Sequence, residues 1–207
     1  PDALAYALEG SNASLMTSAD TAKVLSQLNA AKQYKGLTAE DLYVNAKIPF
    51  GFNYVDNGLN IGHDKDSQGD HGSHVAGIAA ANRYVKAEDG SFANALDTVL
   101  TQGVAPDAQL MIMKIFGDGS GSTSDDIILA GVDDSVKLGA DSINMSLGSP
   151  AGFTDYGDEN ESEEENLTYY GVYTRAEKAG VNVLVAAGNE TSSTNYNAHN
   201  NLTYAEY

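Results

Sequence analysis

The chain has 207 residues, no cysteine, and a formal charge of −18 from 29 acidic against 11 basic residues. That length suits one domain, or one large piece of a bigger one, and buries roughly 70% of its unfolded surface without covalent staples. Without thiols there are no disulfides, cysteine nucleophiles or thiolate metal sites. The charge argues against nucleic acid and anionic membranes as partners, and no apolar stretch approaches the ~20 residues of a membrane span. Cysteine usage leaves the compartment open, because the disulfide rule runs one way only. Pro1-Asp2-Ala3 is not a natural start and reads as a cut from a longer precursor.

Residues 1–46 read as loop and helix. Ser18-Ala19-Asp20 is the expected cap of a helix through Ala22, Val24, Leu25, Leu28 and Ala31, and Thr38-Ala39-Glu40-Asp41 starts a shorter one. From Lys47 the pattern changes. Ile48 to Val55 is β-rich and ends at the turn signal Asp56-Asn57-Gly58. Three strand–helix alternations follow. A helix from His71 to about Tyr84 leads to a strand over Leu110–Phe116. A helix from Ser124 to about Leu138, stopped by Gly139, leads to a strand over Ser142–Leu147. A helix from about Glu164 to Lys178, closed by Gly180, leads to a strand over Val181–Ala187. Short apolar strands alternating with helices predict an α/β fold: a central parallel sheet covered by helices on both faces, with right-handed crossovers. Ligands of such sheets sit outside the carboxyl ends of the strands. The segments to search are therefore Gly117–Ser122, Ser146–Pro150 and Gly188–Asn189.

The run Gly-Asp-His-Gly-Ser-His-Val-Ala-Gly-Ile at 69–78 places His71 and His74 where a glycine-rich turn opens an apolar helix. Histidine exchanges protons near neutral pH and is the usual general base for a nucleophile. Alone, such a histidine is more often structural. Gly119, Gly121 and Gly148 permit close backbone approach, as an extended peptide ligand requires. Asn189 brings a side-chain amide donor to the end of an apolar strand. Taken singly, Asn189 is a turn residue, Ser146 a polar strand end and Gly119-Ser120-Gly121 a pliable loop.

Four segments then line up in order: HGSHVAGI (71–78), GVAPDAQL (103–110), INMSLG (143–148) and VAAGN (185–189). Together they resemble the subtilisin family of serine peptidases, and KIPFGFNYVDNG (47–58) resembles the large cell-envelope subtilases of Gram-positive bacteria. The likeness is strong over about 47–190, weak before and negligible after. It implies an incomplete three-layer subtilisin-like fold with a family-variable insertion region (1–46), a core (47–190) and the start of a following segment (191–207). It implies His71 as the catalytic histidine and His74 as its structural neighbour, with Ser73 where threonine is usual. It implies Asn189 as the oxyanion-hole asparagine. Gly119, Ser120 and Gly121 match the strand on one side of a bound peptide, and Ser146, Leu147 and Gly148 the strand on the other.

The family's aspartate and serine have no match. Asp56 lies fifteen residues before His71, too close, and 48–55 reads as the strand that intervenes; Ser192 and Ser193 follow Asn189 too soon. The acid and nucleophile are thus expected outside 1–207, and this stretch alone is expected to be inactive. The implied parent is a serine endopeptidase acting on proteins or peptides, secreted or held at the wall of a Gram-positive cell, with no cofactor required. Structural calcium is common in the family, but no ligand set can be named here; 63–70 lacks the bidentate acid an EF-hand needs at its twelfth position, where Val75 stands. Seven acids crowd Asp155–Glu165, a solvated loop or, beside a specificity pocket, a preference for basic substrate residues. The alternative is a subtilase-fold pseudoenzyme that binds peptides or adheres to a partner. A nucleotide-binding α/β domain fits the topology but lacks the first-strand glycine fingerprint.

Overall fold

The computed structural model describes residues 2–64, 69–148, 167–186 and 188. The chain divides into two compact units, Pro1–Thr123 and Ser124–Tyr207. No helix among the described residues is long and apolar enough to cross a membrane.

The first unit opens with α1 (Ala3–Ala7), α2 (Ser18–Val24), a 3-10 turn (Leu25–Gln27), α3 (Asn29–Gln33) and α4 (Ala39–Leu42). The single helix expected through Ala22–Ala31 is broken. Leu28 is extended at φ −73°, ψ 142°, and the break carries both Leu28 and Ala30 to complete burial. The cap also differs from the expected Ser18-Ala19-Asp20. Thr17 is the N-cap, and the Asp20 carboxylate reaches back to the Thr17 amide at 2.9 Å, closing a capping box. Thr38 and Asp41 repeat that arrangement at α4. A hydrogen bond from Lys23, with those from Thr17, holds the Asp20 carboxyl down at about 2.

After α4 come β1 (Phe50–Asn53), α5 (His71–Ala80), β2 (Tyr84–Lys86), β3 (Phe92–Asn94), α6 (Ala95–Thr98) and β4 (Met111–Lys114). β1 and β4 pair in parallel, Phe50 opposite Met111 and Asn53 opposite Lys114. Every residue of β1 is buried, as befits a parallel strand covered on both faces. The turn at 56–58 forms as expected: Asn57 takes φ +50°, and Asn53 and Gly58 exchange backbone hydrogen bonds.

The helix expected to run from His71 to Tyr84 stops at Ala80, and Tyr84 instead opens an antiparallel hairpin, β2–β3. The cause lies in residues 103–105. A helix leaves its last carbonyls unpaired. Here Val104 donates its amide to the carbonyl of Ile78 (3.0 Å), Ala105 to Ala79 (2.8 Å) and Gly103 to Ala81 (2.9 Å). Gly103 lies so close that a Cβ would fall 2.3–2.5 Å from the Ala80 and Ala81 backbone. The segment therefore occupies the place where a further helical turn would go. Tyr6 of α1 stacks on Phe92 of the hairpin, centroids 4.2 Å apart, and meets Tyr84 edge-on.

The N-terminal helices are tied to the segment before β4 by polar contacts. Gln109 accepts from the Met16 amide at 2.7 Å and donates to the carbonyls of Met16 and Ala46. Lys47 is buried, and its ammonium donates to the carbonyls of Pro106 (2.9 Å) and Ala108 (2.5 Å). Burial pulls the Lys47 pKa below the usual lysine range; Asp107 and Asp2 oppose that shift. Asp2 caps α1 through the Ala5 amide and also accepts from Ala46.

The second unit contains α7 (Asp125–Lys137), β5 (Ser142–Met145), α8 (Tyr169–Lys178) and β6 (Asn182–Val185). The sequence boundaries hold within a few residues, except that Glu164 and Ala187, the expected start of the last helix and end of the last strand, lie outside the described residues; α8 starts after its cap, Thr168. Gly139 and Gly180 take positive φ just past α7 and α8, the conformation a helix stop favours. β5 and β6 pair in parallel, Ser142 opposite Asn182 and Met145 opposite Val185. Asp133 of α7, 2% exposed, is satisfied by Arg175 of α8 at 2.8 and 3.0 Å and by Lys137 at 2.5 Å. Tyr173 donates to the Met145 sulfur, and burial pushes its hydroxyl up to about 12. The apolar strands are not equally covered: β1 is buried throughout, whereas Leu184 and Val185 of β6 stay exposed.

Gly103→Ala should cost about 1–3 kcal/mol through overpacking against the end of α5. Hydrogen exchange should show it as faster amide exchange at residues 77–81, and unchanged exchange there would contradict the clamp. The stabilisation from Asp20 should be complete above its ordinary pKa of 3.8 and be lost as pH falls toward about 2, since the folded state holds the ionised form. A carboxyl NMR titration of Asp20 with a midpoint near 3.8 would contradict it.

Candidate functional site

His71 is the first residue of α5. Gly69, at φ +94°, makes the turn into the helix, a backbone conformation that costs a glycine little. Asp70 stands at the N-cap without a side-chain cap bond, and its carbonyl accepts the amide of His74 at 2.9 Å, closing the first turn. His71, Gly72, Ser73 and His74 are all exposed, and a Cβ at Gly72 would meet nothing within 4 Å. The histidine thus stands at an open helix mouth while 103–105 hold the far end of that helix. Over ten residues the two ends lie about 15 Å apart.

In the same unit, the parallel register sends the chain out of β1 and β4 at one end, as Tyr54–Asp56 and Ile115–Asp118. Asp56 stays local. Its carboxylate accepts from the Asn53 amide group at 2.9 Å, and its own backbone amide donates to the Asn53 side-chain carbonyl. Gly117 is buried against this turn, where a Cβ would stand 2.9 Å from Val55. Asp118 pairs with Lys114 at 3.1 Å. Then the loop opens. Gly119, Ser120 and Gly121 are exposed, with open space around the Gly119 Cα. The Ser120 hydroxyl is engaged inside the loop, accepting the Ser122 amide at 3.2 Å and lying 3.0 Å from the Ser122 hydroxyl.

In the second unit, the β5–β6 register sends Ser146–Gly148 and Ala186 out at the same carboxyl end, and Ala186 still donates to the Met145 carbonyl at 3.0 Å. The Ser146 hydroxyl accepts from the Asn144 amide at 3.0 Å. Leu147 is half-buried and Gly148 exposed. Gly188 takes φ +87°, turning the chain sharply there. Asn189 lies outside the described residues, as does the acidic stretch Asp155–Glu165. Among the described residues, no group of three or more histidine, aspartate or glutamate side chains is placed to hold a metal ion.

Sequence reasoning located GVAPDAQL but not its work, which is to close the carbonyl end of α5. The available signal was a glycine followed by small residues just ahead of a strand. It also passed over Lys114, the last residue of β4, whose charge in an apolar strand was the hint.

The likeness to known proteins is extensive. Residues 15–206 match the subtilase family, peptidase S8. The PI-type proteinase of Lactococcus lactis subsp. cremoris is 38% identical over 154 residues, covering 73% of this chain and 7% of that protein. The PII-type proteinase of Lacticaseibacillus paracasei matches to the same extent. Subtilisin E of Bacillus subtilis is 35% identical over 124 residues, 59% of this chain and 25% of its own. The chain therefore spans about 7% of the length of the lactic-acid-bacterial relatives. With a histidine at an open helix mouth, glycine-rich segments at the carboxyl ends of parallel strands and a family match over 15–206, this chain belongs to the subtilase family.

Proposed function

We propose that residues 1–207 are part of the catalytic domain of a serine endopeptidase that hydrolyses peptide bonds in proteins. The observation that carries the reading is the exposed His71 at the start of a helix clamped at its far end, in a chain of this family. A histidine so placed takes the proton of a serine hydroxyl and returns it to the leaving amine. The serine and the orienting aspartate come from outside 1–207. The engagement of Asp56 with Asn53 supports leaving Asp56 out of the triad. Asn189 donates a side-chain N–H to the oxyanion. Gly119–Gly121 and Ser146–Gly148 are each read as pairing with the backbone of an extended substrate, because each is short and follows a strand end. The parent is secreted or wall-held, a placement supported by a relative in Bacillus subtilis named Minor extracellular protease Vpr, 36% identical over 104 residues.

His71→Ala in the parent should lower kcat on a peptide substrate by a factor on the order of 10⁶, the loss that removing the histidine brings in subtilisin itself. A parent that hydrolyses no peptide even with His71 intact would favour the peptide-binding alternative. Residues 1–207 alone should neither hydrolyse a broad peptide library nor take up a serine-directed fluorophosphonate; labelling would place a nucleophile inside this stretch.

A further inference from the structure

We propose that Lys114 is a positioning residue that fixes the open segment Gly119–Gly121 for substrate. The inference rests on the reading of that segment as one that pairs with a peptide. The Lys114 side chain is only 10% exposed. It leaves the last residue of β4, where the Lys114 carbonyl still accepts the Tyr54 amide at 2.9 Å. Its ammonium reaches two loops at once. It donates to the Gly62 carbonyl at 3.2 Å, on the path from β1 toward His71, and pairs with the Asp118 carboxylate at 3.1 Å. Asp118 immediately precedes Gly119.

The loop needs such an anchor. Gly119-Ser120-Gly121 has two glycines, and the hydroxyl of Ser120 turns back to Ser122. Free glycine backbone has many conformations to lose when it pairs with a peptide. Two contacts limit that freedom at the root of the loop. Gly117 is pressed against Val55, and Asp118 is held by Lys114. The first is steric and sets where the loop leaves the sheet. The second is a half-buried ion pair, stronger than an exposed one because water screens it less.

The test uses the intact parent and two substrates: a long peptide that spans Gly119–Gly121 and a short ester that reaches only the scissile bond. Lys114→Met should raise KM for the long peptide and lower the ratio of long to short kcat/KM about tenfold, with Lys114→Arg recovering most of it. Asp118→Asn, which keeps the size of the side chain, should shift the ratio in the same direction and serves where the lysine variant fails to fold. An equal loss on both substrates, or an unchanged ratio in both variants, overturns the inference. Gly121→Val is the control. If it too leaves the ratio unchanged, the reading of Gly119–Gly121 as substrate-facing falls, and the role of Lys114 with it.

Discussion

The last carbonyls of the helix that carries His71 are satisfied from outside the helix. Val104, Ala105 and Gly103 donate to Ile78, Ala79 and Ala81, and much of the first unit depends on this exchange. A helix end has no intrahelical donors for its last carbonyls, and each hydrogen bond that fills one contributes about 0.5–1.5 kcal/mol. Because 103–105 fill the place of a further turn, the chain leaves at Ala81 and returns through the β2–β3 hairpin. The same segment then runs into Gln109 and Leu110, and so into β4. One contact thus sets where the histidine helix ends, where the hairpin begins and where β4 enters the sheet. Only glycine fits at 103, since any Cβ would meet backbone and not a side chain that could move aside.

Polar contacts then join the parts that apolar burial does not. Residues 1–46 bury Leu4, Leu28, Ala30 and Leu42, but polar contacts from Gln109 and from the adjoining Lys47 tie them to the segment before β4. Hydrogen bonds have direction, so these contacts select one placement of the N-terminal helices where apolar packing alone would accept several. In the second unit Asp133 has the same office. Its carboxylate would be costly to bury alone, and Arg175 and Lys137 make it a fixed point between α7 and α8. The high acidic content of the chain is therefore not all solvated surface.

Much of the candidate site could be read from residue order. His71 lies where a glycine-rich turn meets an apolar run, and the structure puts it on the first position of α5. Ser146–Gly148 follows β5 and Gly119–Gly121 follows β4, at the carboxyl ends that an alternating strand–helix pattern marks out. These features are local, so periodicity and turn chemistry reveal them. The break at Leu28 was not legible, because residues 22–31 carry a helical pattern throughout and only the burial of Leu28 and Ala30 ends it. Nor was the hairpin, since Tyr84 and Phe92 continue no clear alternation and gain their partner, Tyr6, from the other end of the unit.

By itself the sequence determined the class of fold, the helix stops at Gly139 and Gly180, the parallel strands and the family to which the chain belongs. Each of these rests on neighbours within a few residues, or on motifs that keep their spacing. Tertiary structure alone decided where α5 ends, which carbonyls Gly103 to Ala105 close, how Lys47 and Gln109 hold residues 1–46, and that Lys114 joins the loop at Gly62 to the loop at Asp118. These contacts bring together groups from 4 to 93 positions apart in the chain. Most depend on a backbone carbonyl or amide, which every residue type carries, so no pattern of side chains announces them.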